Sequence, residues 1–353
     1  MIVVFSMAAT LWIFGVVMKT PHQARWIMIG LLFVGVLILH TVLPDGHPLR
    51  EGTGGDARLW LLFLGFGVLA LMYRRGLNWL KARSNSAPVA EAEMPPVQPM
   101  GDIELERYAR HIVLREIGGP GQRRLHEAKV LVIGAGGLGS PVLQYLAAAG
   151  VGTIGIIDDD IVDHTNLQRQ VIHRDQATGT PKVLSAKASV EAQNPYTNVL
   201  SYTRRLSDDI AHDLFDDFDL IVDGTDNFAT RRLVNRTAVD LGLPVVSGAL
   251  SQWEGQVTIF DPTRGAPCYN CLFPEDPAPE LAPSCAAAGV LGPLPGIIGT
   301  MMAAEAIKLL TNAGTPLLGY MLIYDALDAE VRKLKVSRRP DCEVCSPAVR
   351  ASA

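Results

Sequence analysis

A glycine-rich turn between two apolar runs most constrains the fold of this 353-residue chain. The first run, Lys129–Gly134, is apolar after its lysine, as is typical of a strand buried in a parallel sheet. A helical stretch, Pro141–Gly150, follows the turn, and the second run, Thr153–Ile157, ends at an aspartate. This order of strand, turn, helix, strand and acid predicts a Rossmann-like nucleotide-binding unit.

The turn and the acid offer groups that can hold a nucleotide. Glycines let the backbone approach phosphates, whose charge is met by amides at the helix start. Asp158, 24 residues after the first glycine of the turn, can accept hydrogen bonds from ribose hydroxyls. The turn alone does not choose between NAD, FAD and ATP, and a tight turn that binds nothing is the alternative. The expected cradle consists of Gly134, Gly136, Gly137 and Gly139.

Strands and helices continue to alternate, which predicts an α/β fold with a mainly parallel sheet and helices on both faces. A helical pattern, Ile103–Glu116, precedes the first strand and is expected to break at Gly118–Gly121. The later expected helices are Lys182–Asn194, Phe228–Leu241 and a segment near Gly296–Leu310. The later expected strands are Asp219–Gly224, Pro244–Gly248, Gln256–Phe260, Tyr320–Tyr324 and Val331–Val336.

The start of the chain carries three apolar stretches without a charged residue. Met1–Met18 and Trp26–Leu43 have 18 residues each and Leu59–Tyr73 has 15, against about 20 for a helix that spans a bilayer. We therefore expect residues 1–82 to form a three-helix transmembrane anchor. A cleaved signal peptide is the alternative for the first stretch, although it lacks a basic n-region. A buried core helix is the alternative for the third stretch.

Basic residues beside these stretches predict their orientation. Lys19 and Arg25 lie between the first two stretches, and four basic residues between 74 and 83 follow the third. Placing both groups on the inner side satisfies the positive-inside rule. The expectation is a multi-pass protein of the inner, cytoplasmic membrane, with everything after residue 83 in the cytoplasm. Residues 83–102, rich in Pro and Ala, are expected to be a linker, and residues 103–346 the nucleotide-binding domain.

Charge and cysteine content exclude two classes of protein. Residues 1–100 hold eight of the 31 basic and five of the 36 acidic residues of the chain. The remainder therefore has 23 basic and 31 acidic residues, a net charge of −8. An acidic remainder without a basic run argues against a nucleic-acid-binding protein. Five cysteines in 353 residues exclude a disulfide scaffold.

Polar residues beyond the second strand suit a polyphosphate. Asn166 and Arg169 follow that strand, Lys182 begins a predicted helix, and Asp226 follows a later strand. All can meet at the carboxyl ends of the strands, where such folds bind ligands. Two cations suit phosphates, and a carboxylate beside them suits Mg²⁺. Taken singly, the cations could be surface charges and the aspartate a helix N-cap.

Two cysteine pairs predict a closed, structural zinc site. Cys268-x-x-Cys271 and Cys342-x-x-Cys345 have the spacing of two zinc knuckles. Two unrelated thiol pairs or local disulfides are the alternative. Cys285 is left over in a Pro/Ala-rich segment, where a small buried side chain is the structural alternative to a functional thiol.

Several separated motifs together resemble the ubiquitin-activating-like MoeB/ThiF/HesA family, most closely its molybdopterin-synthase adenylyltransferase branch. The resemblance covers about Leu105 to Cys345. It rests on Arg107-Tyr-Ala-Arg110-His-Ile, the glycine-rich turn, Asn166-Leu-Gln-Arg169-Gln, Gly179-Thr-Pro-Lys182 and Gly224-Thr-Asp226-Asn.

The resemblance implies a role for each of these residues. Asp158 would hold ribose, three residues would hold the phosphates of ATP (Asn166, Arg169 and Lys182), and Asp226 would bind Mg²⁺. Arg110 would reach the ATP of the partner subunit in a homodimer. The cysteine pairs would bind Zn²⁺. Cys285 matches a loop position that forms covalent links to the carrier in some branches of the family and is not needed for adenylation in others.

The implied reaction is adenylation of the C-terminal glycine of a small ubiquitin-fold sulfur-carrier protein, with release of pyrophosphate. For the branch that it resembles most, the carrier is the small subunit of molybdopterin synthase and the pathway is molybdenum cofactor biosynthesis. The sulfur donor is then expected to be a separate protein. The thiamine-pathway carrier is the alternative substrate. A membrane-tethered NAD-binding oxidoreductase or sensor is the alternative from another class.

Overall fold

The computed structural model describes residues 2–76, 99–275 and 289–346, apart from positions 19, 21, 45, 55, 57, 59, 63, 64, 68, 70 and 71. The chain divides into two compact units, Met1–Pro88 and Val89–Ala353. Cys285 and most of the expected linker, residues 83–98, lie outside the described residues.

The first unit begins with three helices: α1 (Ile2–Val17), α2 (His22–Val42) and α3 (Pro48–Thr53). The described residues of the third apolar stretch are helical as well. Val4, Val36 and Trp60 are buried against one another, so α1, α2 and the third stretch share a small apolar core. At 16 residues, α1 rises about 24 Å, less than the ~30 Å hydrocarbon core.

In the described residues, two helices have the length and composition of a membrane span. One, Ala24–Val42, lies near the N-terminus and is largely exposed within the structure. The other, Pro293–Thr311, belongs to the second unit and is more than half buried, as the core helix of a globular domain is. Length and composition alone are weak grounds for assigning either helix to a membrane.

The second unit contains nine described α-helices and an eight-stranded sheet. The helices are α4 (Asp102–Arg107), α5 (Ala109–Ile112), α6 (Gly118–Glu127), α7 (Gly139–Ala149), α8 (Lys182–Gln193), α9 (Asp208–Asp216), α10 (Phe228–Leu241), α11 (Tyr269–Leu272) and α12 (Pro293–Thr311). The strands are β1 (Lys129–Ile133), β2 (Thr153–Ile157), β3 (Asn198–Tyr202), β4 (Leu220–Asp223), β5 (Val245–Leu250), β6 (Glu254–Phe260), β7 (Tyr320–Asp325) and β8 (Glu330–Lys335).

The sheet has the order β3-β2-β1-β4-β5-β6-β7-β8. Its first five strands are parallel, and β6, β7 and β8 extend it in antiparallel fashion. β2 and β3 lie on one side of β1, whereas β4 and β5 lie on the other, so the strand order reverses between β1 and β4. A reversal of this kind opens a crevice at the carboxyl ends of the strands.

Apolar residues fill both faces of the sheet, as the α/β prediction requires. One core cluster places α7, α8 and α12 against the strands and contains Val132, Leu143 and Met302. The other places α9 and α10 on the opposite face and contains Leu131 and Phe215. Alternate residues of β1 thus point into different clusters, which is why this strand is apolar throughout.

The structure differs from the sequence-based expectations in three places. The helical pattern before Gly118–Gly121 does end ahead of this segment, as predicted, but the segment also begins α6, because Gly118 has a φ of +61° and Pro120 lies in the first turn, where its missing N–H is not needed. The helical pattern Ile103–Glu116 is interrupted at Tyr108, between α4 and α5. The sequence reasoning also missed β3 and α9.

Candidate functional site

A cavity of about 930 Å³ lies at the carboxyl ends of β1 to β5. It is lined by the residues that follow each of these strands: the turn after β1, the aspartates after β2, the arginines after β3, the loop after β4 and Ser251 after β5. Six predicted residues of the nucleotide site line it together with Gly134: Gly136, Gly137, Asp158, Arg169, Lys182 and Asp226. The fold therefore brings together residues spread over almost a hundred positions of sequence.

The glycine-rich turn folds so tightly that its backbone segments approach one another more closely than a side chain between them would allow. Gly134 has a φ of +93°, which L side chains rarely adopt. A Cβ on Gly139 would lie 1.9 Å from the carbonyl oxygen of Gly134, so only glycine fits there. Gly139 is buried at the start of α7 and shapes the turn from behind, whereas Gly136 and Gly137 face the cavity. Backbone amides at a helix start near an open cavity form an anion-binding site.

Asp158 is fixed by two backbone amides at the edge of this cavity. Its Oδ2 accepts a hydrogen bond from Ala135 N at 2.8 Å, and its Oδ1 accepts one from Asp160 N at 2.8 Å. Burial raises the pKa of the Asp158 carboxyl, while these amides and the nearby Lys182 ammonium oppose that rise. The geometry leaves a carboxylate at the position where a Rossmann-like unit holds ribose.

Arg169 lines the cavity and is oriented by Asn166. Arg169 Nη2 donates to Asn166 Oδ1 at 2.8 Å. Asn166 itself is absent from the cavity lining. In this structure it therefore orients the arginine that faces the cavity, and the prediction that it holds phosphate directly remains a prediction.

Lys182 is a buried ammonium at the start of α8. Its side chain is 6% exposed, and its Nζ donates to Asp160 Oδ2 at 2.7 Å. The backbone N–H of Lys182 also donates to the carbonyl of Asp160 at 2.9 Å. A buried lysine that reaches a cavity is a compact positive charge suited to a phosphate oxygen. The solvated surface charge considered as an alternative does not describe it.

Asp226 lies in the loop between β4 and α10 and faces the cavity. It is not the N-cap of α10: Asn227 takes that role, because its Oδ1 accepts a hydrogen bond from Thr230 N at 2.8 Å. Within the described part of the chain, the Asp226 carboxylate forms no hydrogen bond or ion pair. It is therefore available to a hard cation beside a polyphosphate, the setting that Mg²⁺ prefers.

A buried arginine, which the sequence reasoning missed, fixes the loop that carries Asp226. Arg231 Nη2 donates to the Gly248 carbonyl at 2.7 Å and to the Thr225 carbonyl, and its Nη1 donates to Ser247 Oγ at 3.1 Å. Asp223 Oδ2 lies 3.8 Å from this Nη1. One guanidinium thus joins the ends of β4 and β5. Its position five residues after Asp226, within a helix, gave no sequence signal that it would be buried.

One predicted residue lies outside the cavity, one is not described, and two arginines line the cavity without having been predicted. Arg110 lies in α5 and is exposed, and it does not line the cavity of its own chain. Cys285 lies outside the described residues, so its role stays a prediction. Arg204 and Arg205 line the cavity after β3 but were missed, because that strand was not predicted.

The four paired cysteines converge as expected. All are buried, and their Sγ atoms lie within 4.8 Å of one another. The Cys268–Cys271, Cys268–Cys342 and Cys271–Cys345 sulfur distances are 3.8, 3.6 and 3.5 Å. A tetrahedron with Zn–S bonds of about 2.3 Å requires sulfur distances of about 3.8 Å. The donor set therefore fits Zn²⁺, and local disulfides are not formed among these four residues.

The thiols also influence one another electrostatically. Their shared hydrogen bond raises the pKa of Cys268 and lowers that of Cys271 to about 4. The backbone N–H of Arg339 donates to Cys271 Sγ at 3.4 Å and also favours the thiolate. At least one sulfur of the cluster thus favours the thiolate, which is the form that binds a metal cation.

Two relatives are similar over most of their own length. A sulfur carrier protein adenylyltransferase of Thermus thermophilus is 51% identical over 246 residues, which cover 69% of this chain and 91% of the relative. A SAMP-activating enzyme E1 of Haloferax volcanii is 47% identical over 242 residues, which cover 69% of this chain and 89% of the relative.

The fold is similar to that of a solved structure as well. The crystal structure of E. coli MccB with ATP superposes with a TM-score of 0.60 over 68% of this chain and 74% of the MccB chain. At 24% sequence identity, this similarity supports the fold alone. The model of the ThiF family matches residues 108–344. With the nucleotide cradle, the cysteine cluster and these two relatives, this match shows that the chain belongs to the ThiF family.

Proposed function

We propose that this protein is an ATP-dependent adenylyltransferase that activates the C-terminal glycine of a small ubiquitin-fold sulfur-carrier protein. The observation that carries the proposal is the meeting of the glycine-rich turn, Asp158, Arg169, Lys182 and Asp226 around one cavity. Hydride transfer by an NAD enzyme would use the turn and Asp158 but needs neither the two cations nor the unpaired Asp226. A relative named for sulfur-carrier adenylylation is 51% identical.

The reaction joins a carboxylate to the α-phosphorus of ATP. A carboxylate oxygen of the terminal glycine forms the new bond to phosphorus, the bond from that phosphorus to the bridging oxygen breaks, and pyrophosphate leaves with the electron pair. The nucleophile is already ionised, so no side chain needs to remove a proton. Catalysis then rests on alignment and on charge neutralisation.

The described residues supply both the alignment and the charge neutralisation. Amides of the turn at Gly136 and Gly137, the Arg169 guanidinium and the Lys182 ammonium surround the space in which phosphates would lie. Asp158 would orient ribose and so align the α-phosphorus with the incoming carboxylate. Lys182 is held by Asp160, which fixes the direction of its positive charge.

Asp226 is the residue that would hold Mg²⁺, because its carboxylate faces the cavity and lacks a partner among the described residues. When bound, Mg²⁺ neutralises part of the charge on the phosphate oxygens. Arg231 fixes the Asp226 loop in a position to receive it.

The experiment is carrier-dependent exchange of pyrophosphate into ATP. Wild-type protein should catalyse it with a carrier that ends in Gly-Gly and not with the same carrier lacking its final glycine. Comparing the small subunit of molybdopterin synthase with the thiamine-pathway carrier distinguishes the two candidate substrates. Binding of NADH without any ATP turnover would instead favour the oxidoreductase or sensor.

We further propose that two copies of the chain act together. Arg110 is exposed in α5, away from the cavity of its own chain, so it would serve the ATP site of the partner subunit. Mixing Arg110→Ala protein with Asp226→Ala protein tests this arrangement. Restored exchange in the mixture supports shared sites, and activity no higher than that of either variant contradicts them.

The first unit is proposed to anchor the protein in the cytoplasmic membrane, with the catalytic unit in the cytoplasm. Large apolar side chains on α1 and α2 point outward; Ile13, Trp26 and Leu31 are each more than 60% exposed within the structure. An exposed apolar surface of this kind marks a membrane or protein contact. Retention of the full chain in the membrane fraction after alkaline carbonate extraction supports the anchor, and release into the supernatant contradicts it.

A further inference from the structure

His173 is a buried histidine in the loop before α8, and none of the predicted functions uses it. Its Nε2 lies 2.8 Å from the carbonyl oxygen of Ala135, and its Nδ1 lies 3.0 Å from Ser185 Oγ. A carbonyl only accepts, so Nε2 carries the proton and donates to Ala135. In the neutral ring Nδ1 is then an acceptor, and the Ser185 hydroxyl donates to it.

The bond to Ala135 matters because of where that peptide lies. Ala135 is the second residue of the glycine-rich turn, between Gly134 and Gly136. Its N–H donates to Asp158 at 2.8 Å, and its carbonyl accepts from His173. Ala135 is thus held through both of the peptide groups that it joins. A shift of this residue would move the amides at the phosphate end and the Asp158 carboxylate at the ribose end together.

The bond to Ser185 connects the turn to the helix of the phosphate-binding lysine. Ser185 lies in the first turn of α8, three residues after Lys182. Lys182 Nζ donates to Asp160 Oδ2, and Asp160 N donates to Asp158 Oδ1. The contacts therefore close into a ring that runs from Asp158 through Ala135, His173, α8 and Asp160 back to Asp158.

We propose that His173 is a positioning residue for ATP, which sets the spacing between the glycine-rich turn and Lys182 from behind the cavity. It does not line the cavity, so it acts through Ala135 and α8 and not by touching the nucleotide. Burial lowers the pKa of His173, which keeps the ring neutral and preserves the hydrogen-bonding pattern. This inference deepens the proposed function, because it concerns the ATP site that adenylation requires.

The test compares two amides of different length. In His173→Gln the amide nitrogen can reach the position of Nε2 and donate to Ala135, whereas in His173→Asn it reaches only the position of Nδ1. Only the Asn variant leaves the buried Ala135 carbonyl without its donor, so only there can the turn shift relative to Lys182. We therefore expect the Kd for MgATP to rise about tenfold in His173→Asn and to stay within about twofold of wild type in His173→Gln.

Titration calorimetry with MgATP and no carrier gives these constants directly, and exchange kinetics should show a higher KM for ATP in His173→Asn with an unchanged KM for the carrier.

His212→Asn, at an exposed position in α9, is the control. Equal Kd values for His173→Asn and wild type overturn the inference, as do equal losses in the Asn and Gln variants. If neither His173 variant folds, Ser185→Ala decides by the same criterion of weakened MgATP binding. Absence of ATP binding by wild-type protein would contradict the proposed function itself.

Discussion

The most informative single perturbation is Gly139→Ala, because the structure gives its steric consequence directly. The new Cβ would lie 1.9 Å from the carbonyl oxygen of Gly134, whereas ordinary contacts begin at 3.4 Å. One of the two groups must therefore move by about 1.5 Å. Gly134 cannot move freely, since its N–H donates to the carbonyl of Ile157 at 2.9 Å and it continues β1.

We expect a loss of stability and a larger loss of nucleotide binding. Overpacking of this kind costs about 1–3 kcal/mol, and each kcal/mol lowers Tm by about 2–4 °C in a domain of about 250 residues. The expected decrease in Tm is therefore roughly 2–12 °C. Displacing the turn by about 1 Å is enough to impair alignment about a hundredfold, so ATP–pyrophosphate exchange should fall by that order.

The assay is a thermal melt of the protein without nucleotide, followed by exchange kinetics at a temperature where the variant is folded. Gly119→Ala is the matched control, because a Cβ at that position in α6 meets nothing within 4 Å. Its Tm should equal or exceed that of wild type, since alanine is the better helix former. A Gly139→Ala protein with wild-type Tm and wild-type exchange would refute the steric argument.

Three further predictions concern the metals and pH. Asp226→Asn keeps the shape of the side chain but removes its charge, so it should lower exchange by at least about a hundredfold and raise the Mg²⁺ concentration needed for the half-maximal rate. An unchanged Mg²⁺ dependence would exclude Asp226 as a ligand of Mg²⁺. Cys342→Ser should release zinc, measured by elemental analysis, and lower Tm, whereas wild-type protein that purifies without zinc would contradict the site. His173 has a pKa below its ordinary value of 6.5, so the unfolded chain binds more protons and the free energy of unfolding should fall as pH drops below about 6.5. Urea unfolding between about pH 5 and 7 should show a shallower pH dependence in His173→Gln, and equal slopes would contradict this.

Most of the parallel half of the fold, but not its edge strand, followed from the local sequence pattern. The strands β1 and β2 and helix α10 begin and end within a residue of their predicted bounds, because buried parallel strands are apolar throughout and α10 is bounded by an asparagine cap and a glycine. The edge strand β3 was missed because its sequence, Asn198–Tyr202, mixes polar and apolar residues and is only partly buried. The start of α6 at Gly118–Gly121 was not predicted, because glycine and proline end the preceding helical pattern and are also tolerated in a first turn.

The site was predictable where a residue belongs to a motif and not where it acts through tertiary contacts. Asp158, Lys182 and Asp226 were expected in the cavity, and all three line it. The sequence did not predict the roles of Asp160, His173 and Arg231. The side chain that contacts Asp160 lies 22 residues away, and His173 and Arg231 donate to backbone carbonyls, which no pattern of side chains reveals. The hydrogen bond that Arg169 donates to Asn166 Oδ1 was not predicted either, and direct phosphate binding by Asn166 stays a prediction.

The proposed reaction transfers AMP from ATP to the terminal glycine of a carrier protein. The most direct measurement incubates the protein and its carrier with ATP labelled at the α-phosphate or, separately, at the γ-phosphate, and follows the label on the carrier. We expect that α-label alone becomes attached, and only when the terminal glycine is present. Attachment of γ-label, or of no label with any Gly-Gly carrier while ATP is bound, would contradict it.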